Sequence, residues 1–321
     1  MQIGFGKEAF FDLLKPRFNS GFSEITLADE LSIIAMVANE GSTTVVLIVA
    51  DCESFGPAVA AEIRQKLASQ LALPIHHISL FATQNHCAPL FPVDATNQVV
   101  ALCAKAARQG ITSLQPAEML QVTVHPDPAL NFCRRVVVPE LGAFTFWSGY
   151  RELKPGQADV GALMDLSLRN VARGEPPVRH QSIPPGQPMP AGKEVVLLPR
   201  AADDALQALF FRTPAGAPIG CFLRFAAHPC TGERPATYSQ YSGDFPVYAR
   251  RKLEREFGGM AAFLTGPCGD ANPLIERRSQ ALAQSFGEQI ATEVLRALRP
   301  GKWIQPGRLA ACEVNVQLPV R

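Results

Sequence analysis

The sequence predicts an α/β fold, mixed β-sheets with helices packed on them, in a single domain spanning residues 1–321. Three observations predict it. Apolar runs of strand length alternate with stretches whose apolar residues recur every three to four positions, the succession that a sheet with helical crossovers needs. The runs Leu31 to Asn39 and Thr43 to Asp51 are separated only by Glu40-Gly41-Ser42, a hairpin turn, so antiparallel pairs are mixed with the crossovers. Two apolar strands run directly into polar clusters, at Thr83 to Pro89 and at His228-Pro229-Cys230. In open α/β sheets ligands sit beyond the carboxyl ends of strands.

The elements follow in order. Ile3 to Gly6 reads as a short edge strand, followed by the hairpin, whose second strand closes with Asp51-Cys52-Glu53. Val59, Ile63, Leu67 and Leu71 mark one face of a helix with Pro57 near its start, where the missing N–H costs nothing. Ile78 to Thr83 is the next strand. Asp94 is expected to cap a helix running through Arg108 and stopped by Gly110. Met119 to Val124 and Arg135 to Val138 are strands, the second preceded by Asn131-Phe132-Cys133-Arg134. Gly174 to Gly192, with six prolines and three glycines, is a long irregular excursion. Val195 to Leu198, Leu206 to Arg212 and Ile219 to Ala227 are strands. Pro229 cannot continue a central strand and ends the last of them.

Arg224 to Pro273 organises the chain: strand, loop, helix, strand, loop. Asp244 is read as the N-cap of a helix whose buried face is Phe245, Ala249, Leu253 and Phe257, and Gly258-Gly259 stops that helix. Met260 to Thr265 is a strand that turns out through Gly266 to Asp270. This order sets His228, Cys230, Asp244, Cys268 and Asp270 at one rim. Leu282, Phe286, Ile290, Val294 and Leu298 then form a long helix ended by Pro300-Gly301, and Leu309 to Leu318 is a final alternating strand. His76 and His77 are adjacent on an extended stretch, so they point apart and are assigned no function.

Composition excludes some classes. With 47% apolar and 18% charged residues the chain is globular with a sizeable core. A net charge of +1 leaves no basic footprint for nucleic acid or an anionic membrane. No apolar run reaches the ~20 residues of a membrane span. The N-terminal stretch lacks a continuous apolar segment with a cleavage site, which makes a cytoplasmic location the expectation. Eight cysteines are too few for a disulfide scaffold. Cys103 and Cys221 fall in core patterns, whereas Cys52, Cys87, Cys230 and Cys268 each follow a predicted strand.

The segments AAHP, SGDFPVYAR and GPCGDANP, preceded by Thr83-Gln84-Asn85-His86-Cys87-Ala88-Pro89, resemble the neutral/alkaline ceramidase family in its N-terminal catalytic domain. That family shows Thr-His-x-His-Ser-Gly-Pro, Ala-x-His-Pro, Ser-Gly-Asp-x-x-x-x-Ala and Gly-x-x-Gly-Asp-x-x-Pro in the same order. The resemblance runs from Ile3 to about Leu318. It implies a ceramidase-like fold, hydrolysis of a C–N amide bond in a small or lipid-like substrate, and a zinc ion. Carried over, the zinc ligands fall on Gln84 and His228, and the neighbouring proton donor on His86. Either Arg134 or Arg135 faces the site to bind an oxyanion or a substrate anion. Gln84 departs from the family pattern, because an amide oxygen is a poorer zinc ligand than imidazole. The family's further Glu and Tyr ligands come from a region beyond the end of this sequence.

Three accounts of the chemistry follow. In the first, the site holds a metal in a rearranged shell of His86 and His228, joined by a thiolate from Cys87 or Cys230 or a carboxylate from Asp51 or Asp244. A catalytic zinc keeps three protein ligands and an open position, and lowers the pKa of its water to ~7. In the second, no metal is used and a cysteine is the nucleophile, as in a cross-pair of Cys230 with His86. In the third, the fold serves as a binding module, a homo-oligomer or a partner subunit.

Overall fold

Strand β1 (Gln2–Ala9) opens the chain, longer than the edge strand expected at Ile3 to Gly6 and flanked on both sides. The structure, a computed structural model, describes residues 1–10, 26–88, 95–126, 130–138, 142–145, 196–197, 203–232, 240–273 and 279–317. After β1 come β2 (Thr26–Leu27), β3 (Ser32–Glu40) and β4 (Thr43–Ala50). Helix α1 (Pro57–Leu71) leads to β5 (Ile78–Ala82), and α2 (Thr96–Thr112) to β6 (Gln115–Pro116). Five of these strands form one sheet, in the order β5-β4-β3-β1-β6. The predicted hairpin is present, with Glu40 opposite Thr43 and Gly41 at φ 57°, a conformation glycine adopts without steric cost.

The second half holds β7 (Glu118–Val124), β8 (Asn131–Cys133), β9 (Arg135–Val138), β10 (Gly142–Thr145), β11 (Val196–Leu197) and β12 (Leu206–Arg212). Then follow β13 (Pro218–Phe225), β14 (Gln240–Tyr241), α3 (Asp244–Glu256), β15 (Met260–Thr265), β16 (Ala271–Pro273) and α4 (Gln280–Leu298). The main sheet of this half has the order β15-β13-β12-β7, beside small sheets β10-β9-β11, β14-β2 and β16-β8.

Side-chain alternation stacks these parts into four layers. Ile33, Ala35 and Val37 of β3 pack with Val59, Ile63 and Leu67 of α1 and with α2, while Ile34, Met36 and Ala38 face the other way. There they meet Phe211, Phe222 and Ala262 of the second sheet, whose outer face (Leu223, Phe225, Phe263) is covered by α3 and α4. Each central strand is thus buried on both faces, which is why it reads as an unbroken apolar run.

Two joints are parallel: β4 to β5 through α1, and β13 to β15 through α3. Their carboxyl ends carry the loops of interest. Helix α2 does not stop at Gly110. That glycine lies against β1 and β3, where a Cβ on Gly110 would come 2.6 Å from Val37 Cγ2 and one on Gly4 would meet the Gly110 carbonyl at 2.0 Å. It permits a close helix–sheet contact and does not terminate the helix. The final strand is also absent: residues 309–317 have no ladder partner among the described residues. Alternation makes a strand only where a free edge accepts it, and this segment is anchored instead by the Leu309 N–H on Glu40 and by Glu313 on Arg64 at 2.8 Å. Pro89 of the 83–89 cluster, Asp94, the excursion at 174–192 and Leu318 lie outside the described residues.

Candidate functional site

Two loops 142 residues apart in sequence meet at the carboxyl rim. The loop after β5 is held to the end of β4: Thr83 N–H donates to the Ala50 carbonyl and Asn85 N–H to that of Cys52, both at 3.0 Å. Thr265, at the end of β15, donates its hydroxyl to the Thr83 carbonyl. The loop after β13 is joined directly, His86 N–H to the Pro229 carbonyl at 3.0 Å. The outcome is a pair of imidazoles, His86 and His228, with Nε2 atoms 2.6 Å apart and ring centroids at 4.6 Å. His228 is 6% exposed and the His86 side chain 18%, so the pair is sheltered yet reachable from water.

The far nitrogen of each ring has an acceptor near it. His228 Nδ1 lies 3.3 Å from the Cys268 carbonyl, and His86 Nδ1 lies 3.5 Å from Glu53 Oε1. A carbonyl oxygen only accepts, so the His228 nitrogen facing it carries hydrogen and Nε2 is left to act toward His86. Glu53 was not picked out as a site residue. The signal was available: it follows β4, which lies parallel to and beside β5, so the two strands end at the same rim.

Arg134 belongs to the same rim. It is 5% exposed, and its Nε and Nη2 donate to the Gly269 carbonyl at 3.0 and 2.8 Å, with Nη1 3.5 Å from Asn272 Oδ1. Its own N–H donates to the Asp270 carbonyl at 2.7 Å. The turn from Cys268 to Ala271 therefore supports both Arg134 and His228, whose N–H donates to Ala271 at 3.1 Å. The side chain of Arg135 lies outside what the structure describes; its backbone is in β9, opposite Thr145.

Among the described residues no hydrogen bond joins the Gln84 amide to either imidazole, and His86 is the residue that faces His228. Its backbone is at φ 59°, a region costing on the order of 1 kcal/mol for a side chain of this kind and met most often at functional sites. Cys230 is 6% exposed, two residues past His228. Nearby Cys268 has its thiol pushed up from the ordinary range by burial, with Arg134 pulling the other way. The Cys87 thiol donates to Asp244 Oδ2 at 3.3 Å, and a thiolate there would face a carboxylate.

Helix α3 begins one residue earlier than a cap at Asp244 requires. Gly243 occupies the cap position without a side-chain bond, while Asp244 is the first helical residue, at φ 54°. Beside it is a network sequence reasoning missed. The buried Asp29 carboxylate accepts from Ser242 Oγ (2.7 Å), Gln280 Nε2 (2.8 Å), Tyr248 Oη (3.1 Å) and the Gly243 N–H. Burial and the Asp29 charge push the Tyr248 phenol up to about 12. A phenol with a raised folded pKa contributes stability that is whole below its usual value near ~10 and lost as pH rises through the folded value. Stability is therefore expected to fall between those values, and Tyr248→Phe should remove that part of the pH dependence, measured as Tm against pH.

Zinc can be tested against the donors present. Two Nε2 atoms converge with an acceptor behind each ring, the usual surroundings of metal-bound histidines. Ligands at ~2.0–2.1 Å and tetrahedral angles stand about 3.3 Å apart, so the pair would have to open to admit an ion. Among the described residues no group of three His, Cys, Asp or Glu side chains is placed to hold a metal. The pair fits two ligands of such a centre and the described residues do not supply the third.

No protein-family model and no curated protein matches the sequence. Among solved structures the chain is similar to a ceramidase complexed with C2, at a TM-score of 0.60 and 14% identity, over 92% of this chain and 43% of that one. It is similar also to the neutral ceramidase of Pseudomonas aeruginosa, at a TM-score of 0.59 and 14% identity, over 92% and 44% of the respective chains. The chain has a ceramidase-like α/β fold and spans less than half the length of these proteins.

Proposed function

We propose that the chain is a hydrolase cleaving a C–N amide bond in a small or lipid-like substrate, with His86 and His228 at its reacting centre. The observation that carries this reading is the Nε2-to-Nε2 meeting of two imidazoles on separate loops, at the carboxyl rim of a ceramidase-like fold.

His86 and His228 are the residues that would hold a zinc ion; when bound, the ion supplies an activated water and polarises the carbonyl. The chain's own groups do the rest. The Cys268 carbonyl fixes the His228 ring and Glu53 orients His86, so that a proton on the His86 Nδ1 is balanced by a carboxylate. His86 is the more exposed member of the pair and is placed to give a proton to the departing nitrogen. Arg134, held by the Gly269 carbonyl on the turn that also supports His228, is assigned the substrate carbonyl oxygen. Fold alone does not select a substrate.

A second reading has its own observation: Gln84 stands where the resemblance expects a first ligand. On that reading the chain is a binding module or partner subunit. A thiol-based mechanism at Cys87 is less favoured, because that thiol is engaged by Asp244.

Elemental analysis of purified protein, zinc titration against a competing chromophore, and a hydrolysis assay on N-acyl amines of graded chain length test the proposal together. Zinc near one equivalent with release of the acyl chain is the expected result. Protein that takes up no zinc, hydrolyses none of the amides and co-purifies with a second polypeptide would sink it. Turnover without metal, abolished by thiol alkylation, would favour a cysteine.

A further inference from the structure

We infer that Asp244 is a positioning residue that sets the spacing of the His86–His228 pair. The inference rests on the reading of that pair as the reacting centre. Asp244 is fully buried, and each of its oxygens accepts two bonds. Oδ1 takes the Thr231 hydroxyl and the Phe245 N–H at 2.6 Å; Oδ2 takes the Gly232 N–H at 2.7 Å and the Cys87 thiol at 3.3 Å. A carboxylate has about four acceptor sites, and all are used.

The identity of the four donors is what matters. Cys87 is the neighbour of His86. Thr231 and Gly232 follow His228 by three and four residues. Phe245 alone belongs to the helix. A carboxylate acting only as a helix cap needs the last of these bonds, and the other three reach away to the two histidine loops. The residues just before Asp244 extend the strut: Ser242 N–H donates to the Cys87 carbonyl at 3.0 Å, and Asn85 Nδ2 donates to the Ser242 carbonyl at 2.6 Å. Apart from this strut, the backbone bond between the two histidine loops is His86 N–H to Pro229. The φ of 54° at Asp244 points the same way, because a strained backbone persists where surrounding bonds over-determine it. That conformation aims the carboxylate across the rim.

Asp244→Asn is the test, because it keeps the volume. Whichever way the amide turns, its NH2 faces two donors, so the two loops lose their common anchor. The first readout is the imidazole ¹⁵N spectrum of histidine-labelled protein stripped of metal, in which an Nε2–H···Nε2 bond gives a coupling between the rings. The second is the split between kcat and KM on an N-acyl amine. The wild-type protein is expected to show the coupling. Folded Asp244→Asn protein is expected to lose it, with kcat lower by about 100-fold and KM within a few-fold, the usual consequence of a reacting group displaced by about 1 Å. Coupling and kcat both preserved in the folded variant, or no coupling in the wild type, would overturn the inference. If Asp244→Asn does not fold, Thr231→Val and Cys87→Ala each remove one donor and leave the carboxylate in place. Each should weaken the coupling, Cys87→Ser should restore it, and an unchanged coupling in both would overturn the inference. Wild-type protein that shows the coupling, loses it in Asp244→Asn and hydrolyses no amide keeps the positioning role and ends the hydrolase reading instead.

Discussion

His228→Ala lowers kcat/KM for amide hydrolysis by roughly 10³-fold or more and removes zinc uptake, while the protein stays folded. The magnitude is that of losing a positioned acid–base group or a metal ligand outright. The fold is expected to survive because the loop is held by its backbone: the His228 N–H bonds Ala271 and the Pro229 carbonyl bonds His86, and alanine keeps both. The imidazole lies 3.3 Å from the Cys268 carbonyl and 2.6 Å from His86 Nε2. His125→Ala is the control. That side chain is exposed and pairs with Asp204 at 2.8 Å in a different part of the chain, so its loss should change neither activity nor zinc content. Steady-state kinetics and elemental analysis on the two variants decide the matter. Full activity in folded His228→Ala protein would contradict the assignment of the reacting centre.

Arg250→Ala is expected to cost about 3–5 kcal/mol of stability, the range for breaking one side of a buried ion pair. Arg250 Nη2 lies 2.6 Å from Asp51 Oδ2, with side chains 4% and 1% exposed. The same Asp51 oxygen accepts the Ser32 N–H at 2.9 Å. Burial pushes the Asp51 carboxyl up from its ordinary range, and Arg250 is the largest influence holding it down. Without the guanidinium, Asp51 is left as an uncompensated buried charge at the end of β4, directly beneath the His86 loop. The pair is not ideal even when intact, since Asp51 Oδ1 and Arg250 Nε are buried without hydrogen-bond partners. That predicts the second half of a double-mutant cycle: Asp51→Leu combined with Arg250→Met should recover most of the lost stability, because an apolar pair avoids the desolvation cost. Denaturant unfolding of the single and double variants measures both. A double variant as unstable as the sum of the singles would mean that the two side chains are not coupled, and would contradict the ion-pair reading.

The ceramidase-like fold was legible where the signal is local. The β3–β4 hairpin follows from Gly41 between two apolar runs, α1 from Pro57 and the spacing of Val59, Ile63 and Leu67, and the β13–α3–β15 unit from Pro229, the Phe245 face and Gly258-Gly259. The errors share a cause. Gly110 reads as a stop until β1 and β3 are seen to press against it. The alternation after Leu309 reads as a strand until no edge is there to receive it. Asp244 reads as a cap until its other three bonds are traced. Each depends on a partner far away in sequence, and local pattern carries no information about partners.

The site divides in the same way. Sequence by itself determined which residue types stand at strand ends: His86 and His228 after apolar runs and Arg134 before one, with Gln84 in a ligand position that an amide fills poorly. Tertiary structure alone decided that His86 faces His228, that Glu53 stands behind one ring and the Cys268 carbonyl behind the other, and that Asp29 and Asp244 tie the rim together. The physical reason is that a side chain's chemistry is written in its identity, whereas its orientation is set by hydrogen bonds to backbone groups. Every residue carries those groups alike, so they leave no mark in the sequence.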